Sequence, residues 1–221
     1  MSGLDRWLDE ARTKWDALRV QFTRLAPTPI IPDQLASDDA VKRWRSAHAL
    51  IGRPRADLLS QLIALTGDED AMVRAAAVDA LVSWGSTIVL EPVRQALVQS
   101  PSLGTAIALL EALARLPDPA NRAVLLPWLE HEDEAVRAAA FMALAALCDD
   151  DDLPILGRVL KGGSLQVQRA IMTTLCAPDA ASLAQRAADS SDPVLSQRGQ
   201  QALARIQRNQ TPKTDKNGKT K

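Results

Sequence analysis

One helix opening recurs six times along the 221 residues, at nearly constant spacing. Asp39, Asp70, Ser102, Asp133, Ser164 and Asp192 each precede a helical run, with successive starts 31, 32, 31, 31 and 28 residues apart. Eleven residues after each stands a leucine: Leu50, Leu81, Leu113, Leu144, Leu175 and Leu203. A helix leaves its first backbone N–H groups without partners, and Asp or Ser supplies the oxygen that accepts from them. Ten residues on, every unit carries a small side chain: Ala49, Ala80, Ala112, Ala143, Thr174 and Ala202. Offsets three, seven, ten, eleven and fourteen fall in one arc of a 3.6-residue wheel and make one buried face. Self-similarity at this period predicts a stacked array of units in place of a single globular core.

A second apolar segment of helical length precedes each of the last five caps. These are residues 56–65, 88–98, 120–130, 153–160 and 180–188. Each unit is therefore a pair, helix A then helix B, joined by a short polar turn such as Gly67-Asp68-Glu69. A lone pair cannot bury both its faces, so consecutive pairs must stack. The expected fold class is all-α, an α-solenoid of antiparallel helix pairs wound as a right-handed superhelix.

The runs Asp70-Ala-Met-Val73-Arg74-Ala-Ala-Ala and Asp133-Glu-Ala-Val136-Arg137-Ala-Ala-Ala resemble HEAT repeats. The short period is similar to the HEAT-like variety associated with bilin lyases, and the resemblance spans roughly Gln34 to Gln207. It implies that the Asp and the Arg four residues later form a ladder in the turns. Arg43, Arg74 and Arg137 keep that position, whereas Ala106, Gln168 and Ser196 replace it elsewhere, so an incomplete ladder is expected. Tetratricopeptide and ankyrin arrays have similar periods, but the chain contains no Tyr and no Thr-Pro-Leu-His.

The ends differ from the middle. Leu4, Trp7, Leu8, Ala11, Trp15, Leu18, Phe22 and Leu25 form an amphipathic stripe, so residues 1–26 are expected as a capping helix on the first repeat. Pro27, Pro29 and Pro32 predict a stiff connector over 27–36, and the array proper over 37–208. Residues 209–221 carry four Lys against one Asp and no large apolar side chain, which predicts a disordered tail. No apolar run reaches the roughly 18 residues of a membrane span, and the start lacks a signal-peptide core. Cys148 and Cys176, both among apolar neighbours, are expected as buried structural thiols, and the chain as cytoplasmic.

The net charge of −1 conceals a segregation. Residues 1–66 hold a surplus of two positive charges, 67–160 a surplus of nine negative ones, and 161–208 and 209–221 three positive each. The acidic runs 68–70, 132–134 and 149–152 suit helix starts, where Asp and Glu complement the helix dipole. Asp152, two residues before Pro154, is expected at such a start. An acidic middle repels nucleic acid, whose recognition needs a basic stripe, and favours a protein or peptide partner with a basic surface.

In HEAT arrays the B helices line the concave side, and that resemblance places the candidate partner groove there. Offset nine gives His48, Asp79, Glu111, Met142, Thr173 and Gln201. Offset five gives Trp44, Ala75, Ile107, Ala138, Arg169 and Gln197. From these rows Trp44, His48, Asp79, Ile107, Glu111 and Met142 are the expected partner-binding residues, in a mixed apolar and acidic groove. Catalytic chemistry finds no foothold. His48 and His131 are 83 positions apart and the cysteines 28, so no zinc spacing exists. His131-Glu132 resembles one dyad of the HEAT-like enzyme deoxyhypusine hydroxylase, whose other dyads are missing here. Lys161-Gly-Gly-Ser164 is turn chemistry and not a phosphate loop. No catalytic residue, metal or cofactor is assigned. The expected function is a non-enzymatic interaction scaffold or adaptor. The resemblance to bilin lyases implies a chromophore-protein assembly factor as the alternative.

Overall fold

The computed structural model describes residues 32–99, 102–147 and 149–210. Among the described residues there are eleven α-helices and no strand. The chain divides into two compact units, Met1–Leu116 and Pro117–Lys221. Each is built of consecutive helices that pack on their neighbours in sequence, as an all-α solenoid requires.

The first unit contains α1 (Ala40–Ala49), α2 (Leu59–Ala64), α3 (Ala71–Trp84), α4 (Ser86–Val98) and α5 (Leu103–Arg115). The B helices α1, α3 and α5 pack in that order, and α4 packs on both α3 and α5. Small residues let α3 and α5 approach: Val78, Ala108 and Ala112 form a buried cluster with Val82 against it. Gly85 joins α3 directly to α4 at φ +82°, a left-handed conformation that favours glycine. Trp84 Nε1 donates to Leu50 O at 2.8 Å and ties the second repeat to the first.

The second unit contains α6 (Asn121–Leu125), α7 (Glu134–Ala145), α8 (Leu153–Gly162), α9 (Leu165–Thr174), α10 (Ala181–Ala188) and α11 (Pro193–Gln210). Here α7 packs on α9, α9 on α11, and α10 on α11. The Thr174 hydroxyl at offset ten donates to Met142 O at 2.5 Å, so the one position without alanine fastens its repeat to the one before.

All six caps form. Asp39 accepts from Val41 N–H at 2.9 Å, Asp70 from Met72 at 2.7 Å, and Asp133 from Ala135 at 2.9 Å. Asp192 accepts from Leu195 N–H at 2.7 Å. The serines make longer bonds, Ser102 to Thr105 N–H and Ser164 to Val167 N–H, both at 3.4 Å. Leu50, Leu81, Leu113, Leu144 and Leu175 are fully buried, whereas Leu203 on the last helix is half-buried.

The A helices depart from the expected continuous segments. The stretch 56–65 is a 3₁₀ turn, the six-residue α2, and a second 3₁₀ turn over Leu65–Gly67. The stretch 120–130 changes after α6 to a 3₁₀ helix over Leu126–Glu130, where Pro127 has no N–H to continue the α ladder. Of the expected stiff connector over 27–36, Pro32–Ala36 is a 3₁₀ turn that buries Leu35, and 27–31 lie outside the described residues. At the other end α11 runs to Gln210, past the expected limit of the array, with the Gln210 amide donating to Pro178 O at 2.8 Å. The expected capping helix over 1–26 and the tail over 211–221 lie outside the described residues. Cys176 is buried but disulfide-bonded, which corrects the expectation of two free thiols; Cys148 lies outside the described residues.

The turn ladder works differently from the expected one. Arg74 Nη1 donates to Asp68 O and Glu69 O, and Arg137 Nη1 to His131 O and Glu132 O, each closing its own turn at 2.7–2.9 Å. Arg43 does the same to Ser37 O and Asp38 O, and also reaches into the next repeat. Its Nε and Nη2 grip the Asp68 carboxylate at 2.6 and 2.9 Å. Where the arginine lapses, Gln168 donates to Gly163 O at 2.8 Å, so a neutral amide still closes the turn.

Candidate functional site

The B-helix row in the first unit brings three of the expected groove residues together through charge. His48 on α1, Asp79 on α3 and Glu111 on α5 stand at the same offset of successive, mutually packed helices, and all three are half-buried. Arg115, four residues after Glu111 and so one turn along the same face, reaches back to α3. Its Nη1 lies 2.6 Å from Asp79 Oδ1 and 3.8 Å from Glu111 Oε1. One guanidinium thus serves two carboxylates. Burial pushes the Glu111 carboxyl above its ordinary range, Asp79 adds to that, and Arg115 opposes it. Burial likewise pushes the His48 imidazole down, against the pull of Asp79.

The remaining expected residues are placed differently. Ile107 is half-buried on α5. Trp44 is only 9% exposed, with its ring 5.4 Å from that of His48, and so offers a partner almost no surface. Met142 lies in the second unit, half-buried on α7. Arg115 is the residue the sequence reading missed. Its signal was present: an (i, i+4) Glu–Arg pair whose arginine falls four residues beyond one full period from Asp79.

Most of the acidic runs are absorbed by the scaffold. Asp70 and Asp133 are caps, and Asp68 is held by Arg43. Burial works to raise the Asp68 carboxyl, but the bonds from Arg43 and from the Asp70 N–H leave it below the usual carboxylate range. In the run 149–152 the cap is Asp149, which accepts from Asp151 N–H at 3.0 Å. Asp152 makes no capping bond; it is buried and paired with Arg122 Nε at 2.8 Å. Asp150 accepts from Asp179 N–H at 3.2 Å, a link between successive repeats. The Nδ1 of His131 accepts from Asp133 N–H at 3.0 Å while its ring stacks on Trp128 at 5.6 Å. That histidine belongs to the turn. Among the described residues no three His, Cys, Asp or Glu side chains gather as they would around a metal ion.

The second unit is fastened by arginines. Arg169 at offset five pairs with the Asp192 cap, Nη2 to Oδ2 at 2.5 Å and Nε to Oδ1 at 3.0 Å. Arg198 Nη1 donates to Arg169 O at 3.1 Å, and Arg205 Nη1 to Leu175 O at 2.9 Å. The acidic pair Asp79 and Glu111 at offset nine is confined to the first unit; in the second, Arg169 is the one charged member of the two offset rows, and Asp192 neutralises it.

Residues 29–102 and 90–176 match a family model described as HEAT repeats. The chain belongs to the HEAT repeat family. HEAT repeats stack helix pairs into extended surfaces, and such surfaces commonly bind proteins. No curated protein matches this HEAT chain. Among the described residues no helix is long and apolar enough to cross a membrane.

Proposed function

We propose that the chain is a non-enzymatic interaction scaffold whose first unit offers the row His48, Asp79 and Glu111 to a basic segment of a protein partner. The observation that carries this reading is the shared guanidinium. Two half-buried carboxylates have one arginine between them, so the site holds a surplus negative charge in a setting that disfavours it. A cationic side chain from a partner supplies the missing counter-charge, and Ile107 beside the row supplies apolar contact. The same surplus repels a phosphate backbone. A cytoplasmic setting belongs to the proposal only with the Cys176 disulfide reduced, because reducing compartments keep such bonds open.

The test has two stages. Affinity capture with mass spectrometry supplies candidate partners, and a purified candidate is then titrated against wild type and Asp79→Lys plus Glu111→Lys. The double variant should bind at least about tenfold more weakly at unchanged helical CD, with an affinity for wild type that falls as salt rises. Equal affinity of variant and wild type overturns the acidic row as the binding face.

A further inference from the structure

In the second unit two packed helices carry no acidic side chain. Helices α9 and α11 hold Arg169, Arg198, Arg205 and Arg208 and no Asp or Glu. Arg169 is neutralised by the Asp192 cap, just ahead of α11. The other three stand on one side of α11. With Gln197 and Gln201 they share an arc of roughly 100° at 100° per residue, beside the buried arc of Leu195, Gly199, Ala202 and Ile206. From Arg198 to Arg208 the stripe is about 15 Å long at 1.5 Å per residue.

Backbone carbonyls hold these arginines in place. The bonds from Arg198 to Arg169 O and from Arg205 to Leu175 O lay both side chains, half-buried, along α9. Arg208 is exposed, with its Nε on Ala204 O at 3.2 Å. A guanidinium carries five N–H donors. Arg205 and Arg208 each spend one on a carbonyl, and among the described residues neither pairs with a carboxylate. Cations near a helix C-terminus complement its dipole, which accounts for the bond to Leu175 O at the end of α9. It does not account for the crowding of like charge. Burial first, and then the charge of Arg208, push the Arg205 guanidinium below its ordinary value. A half-buried cation set beside a second cation lacks an anion.

We infer that the stripe of Arg198, Arg205 and Arg208 on α11 binds an acidic segment of a polypeptide partner. Guanidinium forks match carboxylates two bonds at a time, and an extended chain covers the length of the stripe in about five residues. Gln197 and Gln201 beside the arginines are exposed amides, with donors and acceptors for the backbone of such a segment. Nucleic acid fits less well. Neither helix has an aromatic side chain on which bases stack, and three arginines fall short of the roughly six to ten phosphate contacts of a duplex-binding surface. The stripe differs from the row His48, Asp79 and Glu111 in residues, in unit and in sign of charge, so it stands or falls independently of that row.

The test titrates the full chain into a fluorescein-labelled hexaglutamate peptide and follows anisotropy at low salt. Binding should be saturable, weaken as salt rises, and fall at least about tenfold in Arg205→Gln plus Arg208→Gln. Arg158→Gln plus Arg186→Gln, at exposed arginines of α8 and α10, removes the same charge elsewhere in the second unit and should bind as wild type does. Arg205→Gln also gives up the bond to Leu175 O, so Arg208→Glu is the second variant. Its side chain is exposed, its helical CD should match wild type, and its affinity should also fall at least about tenfold. Equal losses in the two double variants overturn the proposal, because binding then answers to net charge alone. Absence of binding at low salt, or unchanged affinity in both stripe variants, overturns it too. Tighter binding of a hexathymidylate strand than of the peptide, lost in the same variants, overturns it in favour of a phosphate backbone.

Discussion

At Glu111, burial and the Asp79 charge favour the protonated carboxyl, and Arg115 only partly opposes them. The folded-state value therefore lies above the unfolded value of about 4.3. The folded chain keeps a proton that the unfolded chain has released, so stability falls as pH rises from the unfolded value through the folded one. Glu111→Gln removes this penalty. The variant should have the higher urea midpoint at pH 7, and the advantage should close by about pH 4. Equal midpoints at pH 7 would show that Arg115 already compensates the charge. His48 has the opposite sign: its folded value lies below about 6.5, so its contribution is complete above that pH and declines as pH falls through it. Asp192 is different again. The bonds from Arg169 and from Leu195 N–H hold its carboxyl below the usual range, so its support is present above about 3.9 and fades as pH falls through the folded value.

Between elements, two glycines separate close approach from mere permissiveness. A Cβ built on Gly199 of α11 would meet Ala188 N at 2.3 Å and Ala187 C at 2.7 Å, both backbone atoms of α10 and its end. Gly199→Ala must push α10 away and should destabilise by about 1–3 kcal/mol in urea unfolding. Gly157 of α8 is the contrast: a Cβ there would meet the two Leu183 methyls, the nearer Cδ2 at 3.6 Å, an ordinary contact. Gly157→Ala should stabilise by about 0.5–1 kcal/mol through helix propensity. The same sign for both would refute the close-approach reading of Gly199. What was legible at this scale was whatever is local. The six caps and the buried leucines follow from spacing within one helix, and the structure places them there. The A helices were less legible because a 3₁₀ turn and an α turn share an apolar pattern over five residues, as at Leu126–Glu130. Side chains that cross a repeat were not legible from composition at all. Asp152 does stand at a helix start, but its carboxylate is the buried partner of Arg122 and not a cap, and Arg115 at its helix end is the counter-ion of Asp79.

For the whole molecule, the repeat organisation makes stability a local quantity. Each pair meets chiefly the pairs beside it, so stability is close to a sum of repeat terms and nearest-neighbour interfaces. Leu144 tests this well. It is 1% exposed on α7, whose main helical neighbour in the second unit is α9. Leu144→Ala removes buried methyl groups and leaves a cavity, at about 2–5 kcal/mol for leucines of this kind. In a single cooperative core that loss would speed hydrogen exchange everywhere by a similar factor. In a nearest-neighbour stack it should speed exchange most in α7 and α9 and progressively less in α11, with α1 at the smallest response. Uniform acceleration from Leu50 to Leu203 would mean that the caps and leucines mark a repeat in sequence without making one in energy. A graded response would mean that a partner held by the His48, Asp79 and Glu111 row stabilises chiefly the pairs it touches.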